Sequence, residues 1–314
     1  MYQARRSSRS EFVPIRNLQY HVRLWGTPTP GQAPLVMVHG WMDVAASYQF
    51  VVDAFARDRY VIAPDWRGYG LTECPGTDNY WFPDYLADLD FLLDHYSPDA
   101  PVDLVGHSMG GNVVMFYAGT RPGRIRRLVN LEGFGMPATR PAQAPGRYAR
   151  WMDELKALHR GDMALKPYAD VAGVASRLMK TNPRLSQDKA DWLAPHWARP
   201  NAQGQWEIMG DPAHKIVNAQ LFRHLQQYFA AGYDNGAFAS VFSLNLAQGL
   251  QDGVNVSHPV IQYCDSGHTY RISRQGARRQ SRFKIVHTAR RIKKNTKMLF
   301  EHAFCRRNSS RPIV

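Results

Sequence analysis

"VGHSMGG", residues 105–111, lies inside a longer pattern: the apolar run "VDLVGHS" at 102–108, then "MGGNVVMFYAGTRP" at 109–122. The first reads as a strand, and the second as a helix closed by Pro122. Ser108 stands between Gly106 and Gly110. A serine in Gly-x-Ser-x-Gly between a strand and a helix is held up on a strained turn, and its flanking positions must be small. Its hydroxyl is inert at neutral pH until a histidine takes the proton, and that histidine needs an acid to orient it. The helix N-terminus adds positive potential where an oxyanion would develop. The bland alternative is a glycine turn that carries Ser108 passively.

The flanking sequence repeats the strand–helix alternation. "APLVMVHG" (33–40) and "RYVIAPDWRGYG" (59–70) are short continuous apolar runs, typical of buried parallel strands. "NLQYHVRLWG" (17–26) and "IRRLVNLEGFG" (125–135) also read as strands. Phe50, Val51 and Phe55 share a helical face, and "PDYLADLDFLLDHY" (83–96) has helical spacing with Pro83 near its start. This order predicts an α/β fold: a mostly parallel sheet flanked by helices, with right-handed connections. "MPATRPAQAPG" then leads into helical stretches rich in Trp, Leu and Met, with no buried-strand run among them. They predict a helical cap inserted over the sheet. The expected domains are a first core part at 1–137, a helical cap at 138–221 and an atypical C-terminal part at 222–314, ending in a poorly ordered basic tail.

Composition narrows the class. The chain has 314 residues, 44% of them apolar, and no run of about 18 apolar residues that would cross a membrane. "MYQARRSSRSEF" is basic without an apolar core, which argues against a secretory signal and reads as a few unordered leading residues. Cys74, Cys264 and Cys305 have neither metal nor disulfide spacing, so a reducing cytoplasmic compartment is expected. The net charge of +13 is local. Fourteen of the 39 Lys and Arg residues and one of the 26 acids lie from Arg271 onward, so the body before it balances at zero. "RRQSRFKIVHTARRIKK" has the charge for nucleic acid but little aromatic interleaving. It predicts at most salt-dependent, sequence-independent binding.

"HGW" (39–41) ends an apolar strand and supplies a loop able to lend a backbone N–H. The expected oxyanion hole is the N–H of Trp41 with that of Met109, the residue after the serine. His39 precedes the nucleophile, so it reads as a hydrogen-bonding loop histidine.

With "VMVHGW", "VIAPDWRGYGLT" and "LVGHSMGG" in this order, the chain resembles the α/β-hydrolase family, in its cap-bearing branch of serine-hydrolase-like esterases. The resemblance covers about residues 15–221. It implies a sheet core, a cap over the active site, and hydrolysis without metal or cofactor. Relatives that act as dehalogenases or epoxide hydrolases need a carboxylate where this chain has Ser108. The family order is serine, acid, histidine. Some relatives place the acid after the sixth strand, where Glu132 stands in "NLEGFG"; the bland alternative there is a solvated loop glutamate. Asp234 and Asp252, nearer the usual acid position, have glycine neighbours that suit surface turns. "VIQYCDSGH" makes His268 the first choice for the base, with Asp265 part of its turn, and His287 is the second choice.

Three function classes follow. The first is a serine hydrolase cleaving a small apolar acyl substrate, such as an ester, through an acyl-enzyme. Trp151, Trp192 and Trp197 would line its pocket, or simply pack. The second is an impaired relative with an incomplete triad. The third is non-specific nucleic-acid binding through the tail. No obligate protein partner and no membrane are expected. The break in texture near residue 222 also resembles a change of reading frame, under which the acid is lost and the histidine match is a coincidence.

Overall fold

The computed structural model describes residues 2–133, 135 and 139–220, and the backbone of three strands beyond them. The sheet strands are β1 (Ser8–Ile15), β2 (Leu18–Trp25), β3 (Leu35–Val38), β4 (Val61–Pro64), β5 (Val102–His107) and β6 (Ile125–Leu131). They continue in β9 (Val241–Leu244), β10 (Ile261–Asp265) and β11 (His268–Ile272), while β7 (Ala198–Pro200) and β8 (Trp206–Ile208) form a separate ribbon. The sheet order is β1-β2-β4-β3-β5-β6-β9-β10-β11. Pairing from β4 through β3, β5 and β6 to β9 is parallel, with antiparallel strands on either side. This is the α/β architecture that the alternation of runs predicts.

The continuous apolar runs are buried on both faces because each strand feeds two cores. Val36 and Val38 pack with Ile62, Leu104 and Leu128 beneath α2 (Phe82–Tyr96) and α3 (Met109–Thr120). Leu35 and Met37 pack with Trp25, Val61, Val105 and Val129 on the opposite face, beside α1 (Gln49–Asp53). Each buried aliphatic side chain contributes about 1.5–3 kcal/mol. Near the start of β5, Asp103 is fully buried, and it accepts from Arg59 Nη2 at 2.8 Å and Arg126 Nε at 2.8 Å.

The leading residues differ from the expectation of an unordered start. "SRSEFVPI" pairs along its whole length with β2, from Ser8 opposite Trp25 to Ile15 opposite Leu18. Only Val13 and Ile15 of this edge strand are buried, which is why its apolar signal is thin. Ahead of it, the Tyr2 hydroxyl donates to Asp53, and its ring meets Phe50 at 5.0 Å and Trp192 at 5.5 Å.

The helical segment holds α4 (Ala144–His159), α5 (Val171–Thr181) and α6 (Gln187–Trp197). Asp170 caps α5 by accepting from Gly173 N at 2.8 Å. Val174, Leu178, Ala190 and Leu193 pack against Val44 and Ala46 of the core. The helices are followed by the antiparallel β7–β8 ribbon, which the reading of this region as purely helical missed. Trp197 donates to Ser47 Oγ at 3.2 Å and Trp151 to Asn79 Oδ1 at 3.3 Å, while Trp192 packs on Phe50. These three side chains fasten the segment to the core. Among the described residues, no helix is long and apolar enough to cross a membrane.

Candidate active site

β5 delivers Ser108 at its carboxyl end. The residue has φ 50° and ψ −112°, in the left-handed half of backbone space, where a side chain is costly. The turn is held from both sides: Ser108 N donates to Leu131 O at 2.7 Å, and Ser108 O accepts from Asn112 N at 3.0 Å. The flanking glycines are required by contact. A Cβ on Gly106 would lie 2.3 Å from Gly110 O, and one on Gly110 would lie 2.4 Å from Val38 O. The start of α3 therefore rests directly on the ends of β5 and β3, and Ser108 is left half-buried at its N-terminus.

The loop after β3 lies against this turn. A Cβ on Gly40 would come within 3.1 Å of Ser108 Cβ, so the backbone entering Trp41 runs beside the serine. The Trp41 side chain is exposed, and Met109 packs partly against the core. His39 is fully buried: its Nδ1–H donates to Gly40 O at 2.8 Å, and its Nε2 accepts from Trp66 N at 2.8 Å. Burial holds its pKa below the ordinary range. Its two ring nitrogens are thus engaged in the loop, in keeping with its reading as a hydrogen-bonding loop histidine.

Glu132 follows β6, the strand beside β5, and it too has a left-handed φ, 63°. Its Oε2 lies 3.9 Å from Nε2 of His107, the residue preceding Ser108. Asn130 closes the turn beyond: its Oδ1 accepts from Gly133 N at 2.8 Å, and its Nδ2 donates to Gly133 O at 2.7 Å. Asn112 of α3 accepts from Gly135 N at 2.8 Å. Ser108 and Glu132 therefore occupy adjacent strand ends on one edge of the sheet. The His107–Glu132 pair is absent from the sequence reading, although the position of His107 beside the serine was a local cue to it.

His268 begins β11, opposite Asp265 in the β10–β11 hairpin. β9 runs parallel to β6, with Leu244 opposite Leu131, and β10 runs antiparallel to β9, with Cys264 opposite Val241. The Asp265–His268 pair at the ends of these strands therefore stands toward the edge of the sheet opposite Ser108. It sits about five residues, roughly 16 Å, back along the strand direction. His287, Asp234 and Asp252 lie outside the described residues.

A profile of the alpha/beta hydrolase fold matches residues 33–229. The chain belongs to the α/β-hydrolase fold family. This α/β hydrolase is 27% identical over 191 residues to a serine hydrolase-like protein of Danio rerio, an alignment covering 60% of this chain and 58% of that one. It is 38% identical over 106 residues to the 2-hydroxy-6-oxo-2,4-heptadienoate hydrolase of Pseudomonas putida, covering 33% and 38% of the two chains. It thus spans less than two thirds of the length of each of these relatives. Among solved structures, the thioesterase domain from the curacin biosynthetic pathway superposes with a TM-score of 0.61 at 26% identity, covering 72% of this chain and 79% of that one. Both of these relatives are hydrolases by name, and the stretch that the family profile matches contains the whole Ser108 turn.

Proposed function

We propose that this chain is a serine hydrolase that cleaves an ester or related acyl substrate, with Ser108 as nucleophile. The observation that carries the reading is the left-handed backbone of Ser108 between two glycines that admit no side chain. Strain of about 1–3 kcal/mol at one residue persists where the surroundings over-determine it, and such residues cluster at active sites. Ser108 Oγ attacks the acyl carbon as a histidine takes its proton. The N–H groups of Trp41 and Met109 hold the oxyanion, the alcohol leaves with a proton, and water releases the acyl group by the same route. Glu132 is the orienting acid. The base is a histidine from the C-terminal part, His268 by its Gly-His turn or His287. The helical segment acts as a cap over the site, and the small apolar acyl group binds beneath it. The similarity to a thioesterase domain supports acyl chemistry.

The course of the β10–β11 hairpin favours a second reading, a relative with the elbow kept and the base out of reach. Two measurements separate them: labelling by a fluorophosphonate probe and turnover of p-nitrophenyl esters. The first reading expects both, abolished in Ser108→Ala. A protein that is folded by circular dichroism yet gives neither belongs to the second. His268→Ala and His287→Ala, compared singly, identify the base.

A further inference from the structure

A cavity of about 160 Å³ opens at the seam between the helical segment and the core. Arg23 from β2, Arg199 from β7, His196 from α6 and Asp65 after β4 line it. Arg23 is only 9% exposed. Its Nη1 donates to Ser8 Oγ at 2.9 Å and its Nη2 to His196 Nδ1 at 3.3 Å, while its Nε is buried without a partner. No carboxylate pairs with Arg23 among the described residues. Asp65 is already committed, accepting from His21 Nδ1 at 2.7 Å, Ala45 N at 2.7 Å and Leu71 N at 3.0 Å.

Arg199 is exposed on the other wall and has no ion-pair partner among the described residues. Glu207 stands opposite it across the β7–β8 ribbon, with its Oε1 accepting from Asn201 Nδ2 at 2.7 Å. Burial pulls the pKa of His196 down to about 4, with Arg23 adding to the effect. The ring is therefore neutral near pH 7. With Nδ1 accepting from Arg23, its proton lies on Nε2.

Asp65 partly offsets the Arg23 charge without a hydrogen bond to it, and the unsatisfied buried Nε points to an absent ion or water. The planar donor fork of arginine matches the oxygens of phosphate and carboxylate. We propose that this seam is a small-oxyanion site, in which phosphate or a carboxylate bridges Arg23 of the sheet and Arg199 of the β7–β8 ribbon, with His196 Nε2–H as a further donor. Because the ligand spans both walls, it binds only the docked arrangement and stabilises it by mass action. The site uses none of the residues assigned to acyl transfer.

The test is thermal unfolding of the full chain against inorganic phosphate and, separately, acetate, at ionic strength held constant with potassium chloride. A saturable rise in Tm with phosphate alone assigns the site to phosphate, and a rise with acetate as well assigns it to carboxylates in general. Arg199→Gln should weaken the response by about tenfold in half-saturating concentration, the loss of one charge-assisted contact. Arg199→Glu should abolish it. Arg199 makes no ion pair among the described residues, so both variants should fold, as circular dichroism would show. The absence of a saturable response to either anion overturns the proposal. So does an equal response in Arg199→Gln, which would place the anion elsewhere, for instance on the basic stretch after Arg271.

Discussion

The loop after β4 and the ends of β5 and β6 lie on the same edge of one sheet, yet they handle backbone strain in opposite ways. After β4 the chain turns left-handed twice, at Gly68 (φ 69°) and Gly70 (φ 56°), where no Cβ resists. Asp65 in that loop is buried and is spent on backbone amides and His21. At the ends of β5 and β6 the left-handed residues are Ser108 and Glu132, both of which carry side chains. The first loop is built for stability, with its awkward positions given to glycine. The second holds the side chains of Ser108 and Glu132 at a cost in backbone strain.

The largest effect that would break this contrast is in activity. Ser108→Ala should lower ester turnover by about 10⁶-fold with little change in the urea midpoint. Full turnover in that variant ends the assignment. Glu132→Gln, which keeps shape but favours the wrong imidazole tautomer, should cost on the order of 10⁴-fold in kcat. His268→Ala should cost at least as much if His268 is the base, and the double variant should cost little more than the worse single one.

In the loop after β4, the effect should instead be on stability. Asp65→Ala strands the N–H groups of Ala45 and Leu71 together with His21, and should lower unfolding free energy by about 3–5 kcal/mol. A loss below 1 kcal/mol, read by urea unfolding, would remove the structural half of the contrast.

Acid provides a graded test. Burial works most strongly against the charge of Asp65, but the hydrogen bond and charge of His21, the charge of His39 and the Leu71 N–H together outweigh it and hold its pKa below the ordinary range. That contribution is complete above the unfolded value near 3.9 and is lost as pH falls through the folded one. His39 and His214 begin to act earlier. Burial lowers both, His214 to about 3, so the folded rings stay neutral while the unfolded ones take up protons below pH 6.5. Stability should therefore fall by on the order of 1 kcal/mol per pH unit below 6.5 for His214. A urea midpoint that is flat from pH 7 to 5 would contradict this. The smallest effect has the opposite sign: Ser108→Gly removes a strained Cβ and should raise stability by about 1 kcal/mol while abolishing turnover. A destabilised Ser108→Gly would mean that the turn is relaxed.

The sheet and the serine turn were legible because they are written locally. "LVMV", "VIAP" and "VDLVGH" need only their own residues to announce buried strands, and Gly106 and Gly110 sit next to the residue they serve. The role of His39 followed from chain order. Partnerships made over distance left no such trace. His21 meets Asp65 across 44 positions. Arg67 and Asp88 form a two-pronged pair across 21, with the Tyr20 hydroxyl on the same carboxylate. His214 stacks between Tyr69 and Tyr80 at 3.9 and 3.6 Å, far from either in sequence. β1 was missed because an edge strand with only Val13 and Ile15 buried lacks the apolar run that a central strand shows.

Asp103 has a consequence for alignment. A strand that slips by one residue turns every side chain to the other face. In β5 such a slip would pull a buried carboxylate away from Arg59 and Arg126 and leave it uncompensated. Asp103 thus works as an index pin: it admits one setting of β5 against its neighbours, and that setting brings the residue five places further on to the carboxyl edge of the sheet. The accuracy with which Ser108 is aimed is set in part at the other end of its strand.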